Sequence, residues 1–248
     1  MPAADALVRL SFDRGTLLLS GPEAKEASAA FEPGFWTWDE RVSAWRCDAI
    51  HHARVLGSLR RRFEGRFQDE IPPPRAVSWP HINLPLLRPE QKEAVAAWRA
   101  ASGRGQVIMP TGTGKTEVAL AIMAETAVAT LVVAPVRDLM YQWHRRILRG
   151  LGYDAGIVGD AVYDVKPVTV TTYDSAYIHM GELGAGFGLI VFDEAHHLPG
   201  RSYREAALLS AALLRLGLTA TPERCDGLHV DLDRLVGPVV AHMGLREA

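Results

Sequence analysis

Cysteine is nearly missing from this chain of 248 residues, with only Cys47 and Cys225 present. Two thiols cannot build a disulfide framework or a thiolate zinc cage, so a reducing, cytosolic compartment is expected, nuclear if the source is eukaryotic. Lysine is scarce as well, at Lys25, Lys92, Lys115 and Lys166 alone. A lysine inside a glycine-rich loop is therefore less readily dismissed as filler. No apolar run is long enough to span a bilayer, and the opening MPAADALVRLSFDRG has no basic-then-apolar secretory pattern. No membrane partner is expected. Repeats and low-complexity tracts are absent. Charge of either sign is not in excess: 27 Lys and Arg face 29 Asp and Glu, for a net −2. That balance gives no global pull towards nucleic acid. With 48% apolar and 23% charged residues, the composition is that of a globular protein.

Charge is less even locally. In ARVLGSLRRRFEGRF, five arginines (Arg54, Arg60, Arg61, Arg62 and Arg66) face one acid, Glu64. A proline-rich stretch, IPPPRAVSWPHINLPLLRP, runs from Ile71 to Pro89. Proline removes backbone donors and restricts the residue before it, so neither helix nor central strand continues there. A boundary is placed within it, giving units of residues 1–85 and 86–248. The first is expected to be a small α+β domain. ALVRLSFDRGTLLLSG reads as a hairpin around Asp13-Arg14-Gly15, and FEPGFWTWDERVSAWR is aromatic and rich in turns. HHARVLGSLRRRFEGRF reads as a basic helix with Val55, Leu59 and Phe63 on one face.

After the boundary the rhythm is α/β. Apolar runs QVIMP, TLVVAP, VTVTTY, LIVFD and RLGLTAT read as buried strands. Helices are expected over PEQKEAVAAWRAA, from Lys115 to about Ala127, over residues 137–149 and over SYREAALLSAALL, with Trp98 and Trp143 read as packing residues. This alternation predicts a parallel sheet with helices on both faces.

The strongest motif is MPTGTGKTEVA. Gly112 and Gly114 let backbone amides turn towards phosphate oxygens with no Cβ in the way. Thr111 and Thr113 complete the loop, Lys115 can reach the β and γ phosphates, and the Thr116 hydroxyl can hold Mg²⁺. Met109 stands where the strict pattern has its first glycine. The alternative is a surface turn rich in glycine and threonine.

VFDEAHHLP, at positions 191–199, offers four potential metal ligands within five residues: Asp193, Glu194, His196 and His197. A protein-bound transition metal needs three or four converging ligands, and neighbours in an extended strand point to opposite faces. The strand-end position favours another reading. Ligands of open parallel sheets sit at the carboxyl ends of strands. Asp193 would then lie beside Thr116 and orient Mg²⁺, while Glu194 activates the attacking water. His196 is assigned a link towards Thr219–Thr221, and His197 has no role.

Together, these segments resemble a superfamily 2 helicase, and the XPB branch in particular. LRPEQKEAV resembles the Q-type motif, which implies nucleotide contacts from Arg88 and Gln91, with Gln91 reading adenine. The residue before Gln91 is Glu90 rather than an aromatic. MPTGTGKT is motif I and DEAH is motif II. VVAPVRDLMYQW and TTYDSA resemble motifs that touch the nucleic-acid backbone, which implies DNA contacts from Arg137 and Thr172. TAT at Thr219 to Thr221 resembles motif III, which couples the ATP and DNA sites. The family's Arg-Glu-Asp motif has its counterpart in Arg224-Cys225-Asp226, where cysteine replaces the glutamate. FWTWDERVSAWR resembles the XPB damage-recognition domain, and in this unit Trp36, Trp38 and Trp45 are candidates to stack on bases and Arg60, Arg61 and Arg62 to meet phosphates. Alternatively, Trp36, Trp38 and Trp45 form the core of a small domain and the arginines a solvated helix face.

The resemblance implies ATP and Mg²⁺ as cofactors. It implies DNA, duplex or forked, as partner, together with a second RecA-like domain and a nuclease or transcription and repair factor. The second RecA-like domain has no counterpart in the sequence, so the chain is expected to be an N-terminal half. Other readings are another superfamily 2 motor, such as an RNA helicase or restriction-type translocase, and a non-enzymatic damage-binding module. In helicases of this family the second domain supplies arginines that stabilise the transition state, and an arginine of this kind contributes about 10³ to 10⁵ in rate. The chain alone should hydrolyse ATP very slowly, and brisk DNA-stimulated turnover in a phosphate-release assay would refute this.

Overall fold

A computed structural model describes residues 7–221 and 231–243. Strands β1 (Val8–Asp13) and β2 (Thr16–Ser20) form the expected hairpin, with Asp13 opposite Thr16. Its two turn residues, Arg14 and Gly15, both have positive φ (46° and 86°), as a tight hairpin turn requires. Helix α1 (Ala24–Ser28) leads to a second hairpin, β3 (Thr37–Asp39) and β4 (Ala44–Asp48). A 3₁₀ turn at Ala49–His51 runs into α2 (His52–Arg62), and β5 (Phe67–Asp69) closes a five-stranded sheet in the order β3-β4-β2-β1-β5. Alternate residues Val8, Leu10, Leu17 and Leu19 face Val55, Leu59 and Phe63 of the helical segment, all buried. The basic helix thus forms on the stripe its sequence predicts. Trp36 is buried in this core, whereas Trp38 is 46% exposed and packs edge-on against Trp45.

Residues 70–88 contain neither helix nor strand beyond a single bridge from Ala76 to Val128. The larger unit follows: α3 (Pro89–Ala100), β6 (Arg104–Ile108), α4 (Lys115–Thr126), β7 (Thr130–Ala134) and α5 (Arg137–Leu151). A short antiparallel pair comes next, β8 (Gly156–Gly159) and β9 (Val162–Tyr163). After it come β10 (Val168–Thr172), α6 (Tyr173–Leu183), β11 (Leu189–Asp193), α7 (Glu205–Leu208), β12 (Leu214–Thr219), α8 (Asp231–Leu235) and β13 (Val239–His242). The sheet order is β13-β6-β12-β11-β7-β10-β8-β9, parallel except for the β8–β9 edge.

Both faces are covered, and strand alternation shows how. Leu189 and Val191 of β11, with Val132 and Ala134 of β7, pack under α3, α4 and α5. The intervening Ile190, Phe192, Leu131 and Val133 pack under α6, α7 and α8. Among the described residues no helix is long and apolar enough to cross a membrane.

The helix expected over residues 202–214 is a single turn, α7. Arg215 explains the break. Its side chain is fully buried, and its guanidinium donates to the carbonyls of Ala207 and Leu235 (3.0 and 3.1 Å) and of Ser210. The Ala211 N–H meanwhile donates to the Gly184 carbonyl. Backbone groups that would have continued the helix are committed elsewhere. Replacing Arg215 with alanine strands the Ser210 and Leu235 carbonyls and leaves Ala207 only the long Ser210 N–H contact (3.4 Å), and an unsatisfied buried carbonyl costs about 1–3 kcal/mol. Arg215→Ala should lower stability by about 3 kcal/mol or more, read as a shifted urea unfolding midpoint.

Candidate functional site: a phosphate-type loop facing two carboxylates

β6 ends at Ile108 and the chain turns through Pro110–Gly114 into α4. Gly112 and Gly114 adopt φ of +81° and +88°, a region that disfavours any side chain. A Cβ at Gly114 would also strike the Gln91 amide nitrogen. β11 lies two strands away from β6, with β12 between them. The register is continuous: Leu218 of β12 is opposite both Val107 and Asp193. The loop and the strand-end acids therefore reach the carboxyl edge of the sheet at the same height.

They enclose a cleft of about 370 Å³, lined by Thr111, Gly112, Gly114, Lys115 and Thr116 on one side and Asp193 and Glu194 on the other. Glu194 is not an extended residue; its φ and ψ are +46° and +55°. That left-handed turn overturns the expected alternation and brings both acids to the cleft. Among the described residues no cluster of three or more His, Cys, Asp or Glu could hold a metal ion by itself.

The Lys115 ammonium is buried. It lies 3.2 Å from Glu194 Oε1 without an aligned hydrogen bond. Glu194 Oε2 lies 3.4 Å from His196 Nδ1, which is 2.9 Å from Thr219 Oγ1. Thr219 Oγ1 donates to the Thr221 carbonyl (3.0 Å) and accepts from the Thr221 N–H (3.1 Å). Because the hydroxyl has one proton, donation to Thr221 leaves His196 Nδ1–H as the donor to Thr219. A continuous polar chain thus runs from Lys115 through Glu194, His196 and Thr219 to Thr221.

Asp193 is held from two directions. Oδ2 accepts from the Trp143 indole N–H (2.8 Å), and Oδ1 accepts from the Glu194 N–H (3.0 Å). Burial raises its carboxyl above the ordinary value of 3.8, helped by the neighbouring Glu194 charge, while the Trp143 hydrogen bond opposes the shift.

Other anticipated residues sit at varying distances from the cleft. Thr113 turns its hydroxyl to the Pro110 carbonyl (2.6 Å). The Gln91 amide is folded onto the loop: Nε2 donates to the Thr113 carbonyl (2.9 Å) and Oε1 accepts from the Arg88 N–H (2.9 Å). The Arg88 guanidinium also donates to the Thr113 carbonyl. Arg88 and Gln91 therefore fix the shape of the loop from behind. Thr172 caps α6, its Oγ1 accepting from the Ser175 N–H (3.2 Å). Arg137 is exposed and faces Asp160 (3.3 Å). Arg60 and Arg61 are exposed, while Arg62 lies 3.6 Å from Glu26. Arg224 and Asp226, with Cys225, lie outside the described residues.

Sequence reasoning missed the contribution of α5. Leu139, Gln142, Trp143 and Arg146 line the cleft, and Arg146 pairs with Glu117 beside the loop. Their three- and four-residue spacing marks one helix face. Polar residues within an otherwise apolar stripe were the available signal.

A parallel sheet with a glycine loop and strand-end acids at its carboxyl edge defines a RecA-like nucleotide-binding core. Family comparisons agree. Residues 85–224, more than half of the chain, match the model for the type III restriction enzyme res subunit, and residues 10–71 match the xeroderma pigmentosum group B helicase damage recognition domain. The chain therefore belongs to the XPB family of superfamily 2 helicases. It is similar to the DNA 3'-5' translocase XPB2 of Sulfurisphaera tokodaii, at 43% identity over 89% of this chain and 49% of the relative. It is also similar to the DNA 3'-5' helicase XPB of Kineococcus radiotolerans, at 37% identity over 61% of this chain and 29% of that one. The chain spans about half the length of the first relative and under a third of the second. Among solved structures, the Sulfolobus solfataricus SWI2/SNF2 ATPase core in complex with double-stranded DNA shares the fold, with a TM-score of 0.54, 18% identity, and coverage of 67% of this chain and 38% of that one.

The raised carboxyl of Asp193 has a signed consequence. A folded-state proton affinity above the unfolded one stabilises the fold at low pH. That contribution is lost as pH rises from the ordinary value of 3.8 through the raised folded value. Asp193→Asn removes this dependence. Its stability relative to the parent should climb between pH 4 and pH 7 in urea melts, and a pH-independent difference would refute the assignment.

Proposed function

We propose that the chain provides the ATP-binding and DNA-contacting part of an XPB-type DNA helicase or translocase that acts in nucleotide excision repair or transcription. In this reading residues 1–85 are a damage-recognition unit and residues 86–248 are the first RecA-like domain. The observation that carries it is the shared height of the glycine loop and the Asp193–Glu194 pair around one cleft, with the Lys115 ammonium buried inside it.

The donor set fits a magnesium-bound nucleoside triphosphate. Thr111, Gly112, Thr113 and Gly114 supply the loop whose amides hold phosphate oxygens, and Lys115 supplies a buried cation for them. Thr116 and Asp193 are the ligand types a magnesium ion takes, directly or through its waters. Bound ATP and Mg²⁺ supply the phosphoanhydride bond and the positive charge that offsets charge build-up on its cleavage. Glu194 orients the attacking water and takes its proton, with His196 Nδ1–H beside its other carboxylate oxygen. Gln91 keeps one acceptor lone pair for a base amine after its contact with Arg88, and Arg88 holds the loop beneath it. Thr219 and Thr221 relay the state of Glu194 through His196.

DNA, duplex or forked, is the proposed substrate. The names of both relatives support this. Arg137 and Thr172 are the proposed backbone contacts of the core, and Arg224 and Asp226 the counterpart of the motif linked to unwinding. The exposed Arg60 and Arg61, with Arg62, are the proposed phosphate contacts of the first unit. A second RecA-like domain and a nuclease or a transcription or repair factor are the proposed partners, in the cytoplasm or, in a eukaryote, the nucleus.

Lys115→Ala and Glu194→Gln separate these roles. Lys115→Ala should weaken fluorescent-ATP binding at least about a hundredfold, in line with losing a buried charge-assisted contact to polyphosphate, while DNA affinity stays unchanged. Glu194→Gln should keep ATP binding and lose hydrolysis when the second domain is supplied. Unaltered ATP affinity in Lys115→Ala would overturn the nucleotide assignment.

A further inference from the structure

Arginine is concentrated at the opposite, amino edge of the larger sheet. Arg104 opens β6, and Arg215 stands beside it on β12, in register. Arg104 is half-buried, and its guanidinium makes no hydrogen bond or ion pair with the described residues. It faces a cavity of about 270 Å³ whose lining combines both units. Ile50, His51, Ala53 and Arg54 come from the first unit, and Arg104 and Arg234 from the second. Among the described residues no carboxylate lines this cavity.

The nearest acids are committed or outside it. Glu32 holds Arg54 through paired contacts of 2.7 and 2.6 Å. Asp233 accepts from the Gln106 amide (2.9 Å). Burial lowers the proton affinity of His51; Asp48 and Glu32 raise it, and Arg234 and Arg54 lower it. Arg234 has no ion-pair partner among the described residues. Burial lowers the proton affinity of Arg104 and of Arg215, and the neighbouring Arg104 charge lowers that of Arg215 further. A half-buried guanidinium without a counter-charge among the described residues, next to a second buried guanidinium, is electrostatically costly. Planar guanidinium forks converging from separate elements match the several acceptor oxygens of a tetrahedral oxyanion.

We propose that this cavity is a second anion site, specific for a phosphate group and bound by Arg104 and Arg234, with His51 and the Glu32-paired Arg54 at its rim. It is distinct from the glycine loop: Arg104 and Ile108 lie at opposite ends of β6, roughly 13 Å apart at the rise of an extended strand. A phosphate held there bridges the two units. The group is either a free phosphate or a phosphodiester of a nucleic-acid strand, since both offer the same oxygens.

The test uses the whole chain carrying Lys115→Ala, which removes the cation of the loop site. Inorganic phosphate is titrated at constant ionic strength and followed by calorimetry, and a short single-stranded oligonucleotide is then tested as competitor. Saturable phosphate binding should appear and weaken at least about tenfold in Arg234→Ala, the loss expected for one charge-assisted contact. Arg234 is exposed, so that variant keeps the fold, and circular dichroism checks it. Arg104→Gln, which removes the half-buried guanidinium, should lose binding altogether. If the oligonucleotide displaces phosphate, the ligand is a backbone phosphodiester; if it does not, the ligand is a free phosphate. Absence of saturable binding, or binding indifferent to Arg234→Ala, overturns the proposal.

Discussion

The parallel register through β6, β12 and β11 is the constraint on which the site depends. Leu218 is paired with Val107 on one side and Asp193 on the other. A slip of one residue on either side would turn the buried faces of a strand inside out. Both faces of this sheet are covered by helices, so such a slip would be costly on each. The relative height of the glycine loop and the acids is therefore fixed by packing well away from the cleft. Glu194 adds the one local departure. Its left-handed backbone lets two neighbouring acids share a cleft that an extended strand would have split between two faces.

Within the cleft, opposing effects on Asp193 are resolved in favour of burial. Two N–H donors hold its carboxylate, yet its proton affinity still rises. Nearby positive charge favours the ionised form, and Lys115 supplies some of it. In the proposed reading, a magnesium ion supplies the rest. Glu194 is placed differently: it sits between a buried ammonium and a histidine. The contrast assigns the two acids different work. Asp193 is oriented by an indole and a backbone N–H, whereas Glu194 is one link in a polar chain that leaves the loop for Thr219.

The α/β rhythm, the loop and the strand-end acids were legible because each depends on local pattern: apolar runs of strand length, glycines before Lys115, carboxylates after LIVF. The amphipathic face of α2 was legible for the same reason. What sequence could not show depends on partners distant in the chain. Trp143 reads as packing, and it does pack, but its N–H meets a carboxylate fifty positions away. Gln91 reads as a base contact, yet most of its amide is used on the loop behind the cleft. The helix expected over residues 202–214 has good local propensity, but a single buried guanidinium outcompetes it for carbonyls.

That interrupted helix also determines how the two units meet. Because the chain leaves helical geometry after Leu208, Ala211 is free to present its carbonyl to His52 Nδ1 (3.0 Å) and its side chain to the core of the first unit. His52 Nε2 in turn lies 3.5 Å from Asp69, at the end of β5. Arg215 holds the adjoining Ser210 carbonyl. The same residue thus breaks a helix, seals the amino end of the sheet and shapes the segment on which the first unit docks. Arg104, its partner in register, opens onto the cavity between the units. The amino edge of the sheet is therefore a place where the fold concentrates positive charge and joins its two parts, while the carboxyl edge is left to the loop and its acids.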